Sequence, residues 1–460
     1  MKQETLVVML EARHFSDGRF TEKIFESGKG KFEDMEVYIE KTKTIEMSVF
    51  NGELDKYNIS DTEGMSFRGI SNGKMGYSYT EKLDESSIDM LVNEAYENGK
   101  HIDALEKESI FSGSDKYEEM DNFNEELKNA SLENKIEFIK SLEKEALGLD
   151  SRIASVSYCM YNEVENTKHL INTKGLNLED HTNLAYAFLV VVAREGEDTK
   201  TGISYVISRD FKDFDYKKMA KEAVDEALSQ LGAKSIKSKE YPVVFRNDTF
   251  ADLLGAFSSI FYAENVQKGL SLLKDKVGED IACSQFTLVD DPFAREGFNS
   301  STFDHEGTAT KYKKIIDKGE LKTYLYNWKS ANKDNVESTG NGFRSSYKSS
   351  VSTSATNLYI ESGDKSFEEI LNTVENGLYI TDLQGLHSGL NPVSGDYSLS
   401  ANGYEIENRK IKRPINQITI AGNFFETLMD IEEIGNDLRF AMNGVGSPTI
   451  KVKKLAIAGE

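Results

Sequence analysis

Apolar residues recur at every second position early in the chain, through Val37 and Ile39 and then Ile45, Met47 and Val49, before an Asn51-Gly52 turn. Period two is the signature of a half-buried strand. A second predicted hairpin has arms at 65–70 and 74–79 around Asn72-Gly73, a pair that tolerates the left-handed backbone of a tight primed turn. The period then lengthens: Ile88, Leu91, Val92 and Ala95 fall at helical spacing, with Asp84 placed as a cap and Gly99 able to end the helix. Residues 101–129 are acidic and poor in aliphatics, which predicts a solvated loop or an irregular helical excursion. A helix over 132–147, capped by Ser131 and stopped by Gly148, opens a second block. Its predicted strands are 153–161, 169–173, 183–193 and 202–208, and a helix over 216–231 follows between Asp215 and Gly232. Strands, a glycine hairpin and a helix thus occur twice, which suggests a diverged duplication with spacing too irregular to set its register.

Beyond the lysine-rich stretch 233–240 the pattern changes to strands and loops with helices expected at 250–263, 367–376 and 424–433. Ser366 and Glu369 are spaced for a capping box on the second of these. The expected fold class is α+β, with an N-terminal domain (1–235) of antiparallel strands and flanking helices, and a strand-rich C-terminal domain (236–460) with a few helices. In the C-terminal part a polar loop, 290–308, feeds a predicted hairpin whose arms are 311–316 and 321–328, turning through Asp317, Lys318 and Gly319. In the second arm Tyr324, Tyr326 and Trp328 would share one face. Such a face reads either as core packing or as the wall of a peptide-binding groove.

Charge narrows the partners. The 460-residue chain carries a formal net charge of −23, which disfavours direct contact with nucleic acid or an anionic membrane. Its length exceeds the size at which one core usually divides, so two domains are expected. Cys159 and Cys283 are too few and too far apart for a disulfide framework, and they fit a reducing compartment. The apolar run 6–10 is too short for a signal segment or a membrane span, so a soluble, cytoplasmic protein is expected.

Six short stretches then carry a resemblance. They are Asp304-His305-Glu306-Gly307-Thr308, Thr339-Gly340-Asn341-Gly342-Phe343-Arg344, Ser394-Gly395-Asp396-Tyr397-Ser398, the run 401–408 (ANGYEIEN), Ile434-Gly435-Asn436-Asp437-Leu438 and Gly446-Ser447-Pro448-Thr449-Ile450. In this order, over half the chain, they resemble the C-terminal half of the TldD/PmbA family, once described as modulators of DNA gyrase. The resemblance implies a zinc metallopeptidase system. Its catalytic branch has HExxxH on the first helix of the C-terminal domain and a later Cys as third ligand. Here 247–264 contains no histidine, its Phe250, Leu253, Leu254, Phe257, Ile260 and Phe261 form an apolar stripe, and no cysteine follows Cys283. The chain therefore resembles the PmbA branch, also called TldE. That implies no zinc in this chain, zinc in a TldD-type HExxxH partner, a heterodimer or a homodimer, and extended peptides as ligands. The alternative is a stand-alone homodimeric peptide-binding or scaffold protein without peptidase activity.

No catalytic residue or metal ligand is expected in this chain. Asp304, His305 and Glu306 are consecutive in a turn, where side chains diverge, and Ala309 and Thr310 stand where a second histidine would be needed. The sequence has no GxSxG elbow and no GxxxxGK phosphate loop. Arg295, Asn299, Tyr324, Tyr326, Asn341 and Arg344 are the candidate peptide-binding residues, set in or beside glycine-rich loops that could hold an extended chain by strand addition. Their alternative role is to tie loops together by hydrogen bonds.

Overall fold

The computed structural model describes residues 19–102 and 107–460, so the apolar run 6–10 and His14 lie outside the described residues. The first period-two run forms β1 (Asp34–Phe50), which returns as β2 (Glu53–Ser71) and again as β3 (Lys74–Thr80). Both turns have left-handed backbone at both residues, Asn51-Gly52 and Asn72-Gly73. Helix α1 (Arg19–Gly28) precedes β1, and α2 (Ile88–Lys100) follows β3. The second block repeats this plan. After the short α3 (Glu125–Asn129) come α4 (Leu132–Leu149), β4 (Ile153–Asn172), β5 (Asn177–Glu195), β6 (Asp198–Ser208) and α5 (Tyr216–Ser229). Ser131 caps α4 and Asp215 caps α5, as expected, whereas Gly148 lies inside α4 instead of ending it.

All six strands form one sheet in the order β3-β2-β1-β4-β5-β6, with β1 and β4 antiparallel at its centre and Thr42 opposite Asn166. Two glycines show that the blocks correspond. A Cβ on Gly76 of β3 would lie 2.0 Å from the carbonyl oxygen of Ala95 in α2, and one on Gly202 of β6 would lie 2.0 Å from that of Ala223 in α5. Each block thus places a glycine in a close helix-on-strand contact. Odd positions of β1 face the helices: Val37 and Ile39 pack with Leu91 and Val92, and Met47 and Val49 with Leu142 and Met219. Even positions, Glu36, Tyr38 and Glu40, face the C-terminal half, where they meet Arg344, His305 and Tyr347.

The acidic segment is irregular, as expected, but it is not merely solvated. Ile110 is buried, the Phe111 ring lies 4.6 Å from that of Trp328, and Tyr117 donates to the Gly307 carbonyl. It straps the sheet to the C-terminal half.

That half starts with β7 (Lys239–Phe245), which pairs parallel with Asn376–Gln384 and antiparallel with Ile450–Ala458. Asp396–Glu407 and Lys410–Asn423 continue from Asn376–Gln384, and the latter pairs back onto Ile450–Ala458, closing a ring of strands. Helix α6 (Asn247–Phe257) lays the predicted apolar stripe into this core: Phe250, Leu253, Leu254 and Phe257 are buried, and Phe257 stacks on Phe424 at 4.4 Å. The α+β class, rich in strands with few helices, is the observed one.

Four expectations are corrected. The helix expected over 250–263 ends at Phe257 and is followed by a 3-10 turn, and that over 424–433 ends at Met429, with Ile431–Ile434 extended as a strand. The helix over 367–376 stops at Leu371, although its Ser366–Glu369 capping box is present. The hairpin near 317 is tighter than expected, joining Lys313–Asp317 to Glu320–Leu321 through Lys318 and Gly319. Its second arm stops there. Leu325 exchanges hydrogen bonds with Phe261 and Ala263, and Asn327 caps a helix, Trp328–Asp334, so Trp328 leaves the predicted aromatic face. Tertiary bonding has overridden the period-two pattern.

The two interlocking glycines yield a test. Gly76→Ala and Gly202→Ala are each expected to lower stability by about 1–3 kcal/mol, the usual cost of overpacking, because the methyl meets backbone. Gly148→Ala, where an added Cβ meets nothing within 4 Å, should instead raise it by about 0.5–1 kcal/mol. Urea midpoints of the three variants read both signs.

Candidate functional site

Where β7 ends, Arg246 leads into α6, and Asp248 and Asp252 follow at helical spacing four apart, which puts both on one side. They line a cavity of about 900 Å³ between the N-terminal sheet and the C-terminal half, walled by Phe188, Tyr205 and Asp382 among others. The carboxylates are already engaged. Arg246 Nε lies 2.6 Å from Asp248 Oδ1, and its Nη1 lies 2.6 Å from Glu226 Oε1 of α5. Arg439 approaches the other Asp248 oxygen at 3.8 Å while its guanidinium lies 4.7 Å from the centre of the Tyr205 ring. Asn443 Nδ2 donates to Asp252 Oδ1 at 3.1 Å. Burial, and then the neighbouring Asp248, raise the Asp252 carboxyl to about 6.

This helix occupies the place where the resemblance would put a zinc motif. Zinc takes imidazole, thiolate and carboxylate donors that are free to converge on it. Asp248 is held by two arginines, and Asn443, in the loop that precedes Gly446, rests against Asp252. Among the described residues no three His, Cys, Asp or Glu side chains are grouped to hold a metal ion. The donors at this helix do not fit zinc.

A second cluster joins the 304–308 turn to the 339–344 stretch. The Asp304 carboxylate accepts from the backbone N–H groups of Glu306, Thr308 and Gly342 at 2.9–3.0 Å. His305 Nδ1 accepts from the Arg344 N–H at 2.9 Å. Burial holds the imidazole well below its usual titration range, so the proton of the neutral ring sits on Nε2. Glu306 Oε2 accepts from the Trp328 N–H at 2.7 Å, and its Oε1 faces Arg68 Nη1 at 3.4 Å. Glu36 Oε1 accepts from both Arg68 Nε, at 2.7 Å, and Arg344 Nη2, at 3.0 Å. Burial raises both Asp304 and Glu306 above the usual carboxylate range, and each pushes against other nearby carboxylates.

The six candidate peptide-binding residues do not form one surface. Asn341 and Arg344 are buried: Asn341 ties Asp290 to the Ser354 carbonyl, and Arg344 joins Glu36, Ser66 and the His305 carbonyl. Tyr324 and Tyr326 are buried in the C-terminal core, with hydroxyls bonded to the Leu273 carbonyl and to Asp334. Arg295 and Asn299 are exposed on a loop that Arg209 holds through the Gly297 and Phe298 carbonyls. Sequence reasoning missed Glu36, Arg68, Arg246, Asp248, Asp252 and Arg439. The signal available was an aspartate pair at i, i+4 on the helix that lacks the zinc motif, and a glutamate on a strand buried on both faces.

Three family descriptions match along the chain: PmbA/TldA metallopeptidase domain 1 over residues 35–99, the central domain over 125–231 and the C-terminal domain over 238–459. A solved structure described as a putative modulator of a DNA gyrase, from Thermotoga maritima MSB8, is 32% identical and superposes with a TM-score of 0.88, covering 96% of this chain and 99% of its own. The chain belongs to the PmbA/TldD family. TldE from Thermococcus kodakarensis superposes with a TM-score of 0.88 at 25% identity, over 96% of this chain and 100% of its own. Metalloprotease PmbA of Escherichia coli O157:H7 is 26% identical over 95% of this chain and 94% of its own length. A metalloprotease TldD homolog of Buchnera aphidicola subsp. Schizaphis graminum is also 26% identical, over 90% of both chains. The family resemblance read from short motifs thus extends to the whole chain. No helix among the described residues is long and apolar enough to cross a membrane.

Asp252 gives a pH test. Its folded value, about 6, lies above the ~3.9 of a free aspartate, so the folded chain keeps a proton that the unfolded chain releases between these values. Stability from this group is full below about 4 and is lost as pH rises through about 6. Asp252→Asn should therefore match the parent chain near pH 4 and exceed it by about 1–2 kcal/mol above pH 7, measured as urea midpoints.

Proposed function

We propose that this chain is a PmbA/TldE-like subunit, without a zinc site of its own, of a TldD/TldE-type metallopeptidase acting on unfolded or small peptides. The observation that carries this reading is the start of α6, which holds no histidine and where Asp248 is held by Arg246 and Arg439 and Asp252 by Asn443. Zinc and the activation of water belong, on this reading, to a separate HExxxH chain. The present chain contributes cavity walls and an interface. The free edge of β2 supports such a role. Among the described residues β3 pairs with only 65–71 of β2 and no other strand pairs with the outer side of 53–62, an edge suited to an extended peptide or a partner's strand.

Two measurements test the proposal. Native mass spectrometry after dialysis into zinc-supplemented buffer should find close to no zinc per chain; one zinc retained per chain would overturn the reading. The purified chain should leave unfolded peptides intact, and mixing with an HExxxH homologue should both form a heterodimer and produce chelator-sensitive cleavage. A homodimer that ignores that homologue, or cleavage by this chain alone, would count against it.

A further inference from the structure

A second cavity, of about 640 Å³, lies where the sheet, the strap and the helix Trp328–Asp334 meet. In a chain of net charge −23 its lining carries two arginines and four lysines against three glutamates. Arg68 and Arg344 belong to that lining and are 7% and 6% exposed, yet their main counter-charge is shared. One oxygen of Glu36 accepts from both guanidiniums. The other nearby carboxylate, Glu306, uses one oxygen on the Trp328 N–H and meets Arg68 only at 3.4 Å. Burial also favours its neutral form.

Among the described residues, Arg344 Nε in this lining is buried with no hydrogen-bond partner, as are the second oxygen of Glu36 and His305 Nε2, both outside the lining. Buried guanidinium N–H groups are normally satisfied, and a planar fork is suited to a carboxylate. Beside this floor stand apolar walls, Trp328, Met75 and Val351. Trp328 is held in place by its Nε1–H bond to Ser109 and by the ring of Phe111.

We infer that this cavity binds the C-terminal carboxylate of a peptide on Arg68 and Arg344, with the terminal side chain against Trp328. The choice of a peptide as ligand rests on the peptidase reading above; the cationic lining with its two arginines does not. The lysines around the mouth raise the local concentration of a peptide's acidic end.

Trp328 is the only tryptophan in the chain, so its fluorescence reports on this cavity. The full chain is titrated with the tripeptide Ala-Ala-Phe, with the same peptide as its C-terminal amide, and with inorganic phosphate. The acid should give a saturable change, the amide should bind about tenfold or more weakly, and phosphate should not displace the acid at comparable concentration. Arg68→Lys, which keeps the charge and loses the fork, should weaken the acid and not the amide. Should that variant fail to fold, Lys107→Glu reverses an exposed charge at the mouth and should weaken the acid several-fold while sparing the amide. Equal binding of acid and amide, or no fluorescence response, overturns the inference. Phosphate competing as well as the peptide also overturns it, in favour of a general anion site. Restored cleavage with an HExxxH homologue but no discrimination between acid and amide defeats this inference alone, while discrimination without restored cleavage defeats only the subunit reading.

Discussion

Two guanidiniums sharing the carboxylate of Glu36 hold the halves of this protein together. Glu36 and Arg68 come from the neighbouring strands β1 and β2, and Arg344 from the C-terminal half, all three nearly excluded from water. Such a group adds little net stability over an apolar contact of the same size, because desolvation offsets the attraction. Its consequence is orientation. Any docking of the halves that separated Arg344 from Glu36 and Ser66 would leave a buried charge without its partners, which is far costlier than losing apolar contact. The Tyr38 ring, whose centre is 4.5 Å from the Arg344 guanidinium, packs against one face of the same group.

This docking explains why β1 is buried on both faces near its start. The repeated blocks supply helices for one face of the sheet, and the C-terminal half covers part of the other. The repeat is broken at its edges. In the second block the exposed flank of β5 is covered, since Asn183 exchanges hydrogen bonds with Asn122 and Asn124 of the strap. In the first block β2 runs on past β3 with no strand paired to its outer side among the described residues. Such an edge is open to another strand, so the asymmetry bears on assembly.

The same economy of charge governs the start of α6. Asp248 gains Arg246 and Arg439, and Glu226 reaches across from α5 to share Arg246. Of these ion pairs, the one between Glu226 and Arg246 joins the N-terminal and C-terminal halves. Asp252, with no cation bonded to it and Asp248 beside it, is left strained as a carboxylate, which is why its titration moves upward.

Much of this was legible in the residues. Asn51-Gly52 and Asn72-Gly73 specify their turns because few other pairs tolerate left-handed backbone twice in succession. Ser131, Asp215 and the Ser366–Glu369 box mark helix starts because a side-chain oxygen must satisfy backbone N–H groups locally. The missing histidines and late cysteine were equally plain. The aromatic run 324–328 misled because its alternation is also compatible with an irregular segment whose backbone bonds to Phe261 and Ala263. Nor could spacing show that Glu36, Arg68, Glu306 and Arg344 meet, since they come from four places along the chain. Local hydrogen bonding and periodicity, and so the turns, the caps, the core stripe of α6 and the family, were determined by the sequence itself. The charge network and both cavities were decided only by tertiary structure, because desolvation and the pairing of distant charges depend on which surfaces dock.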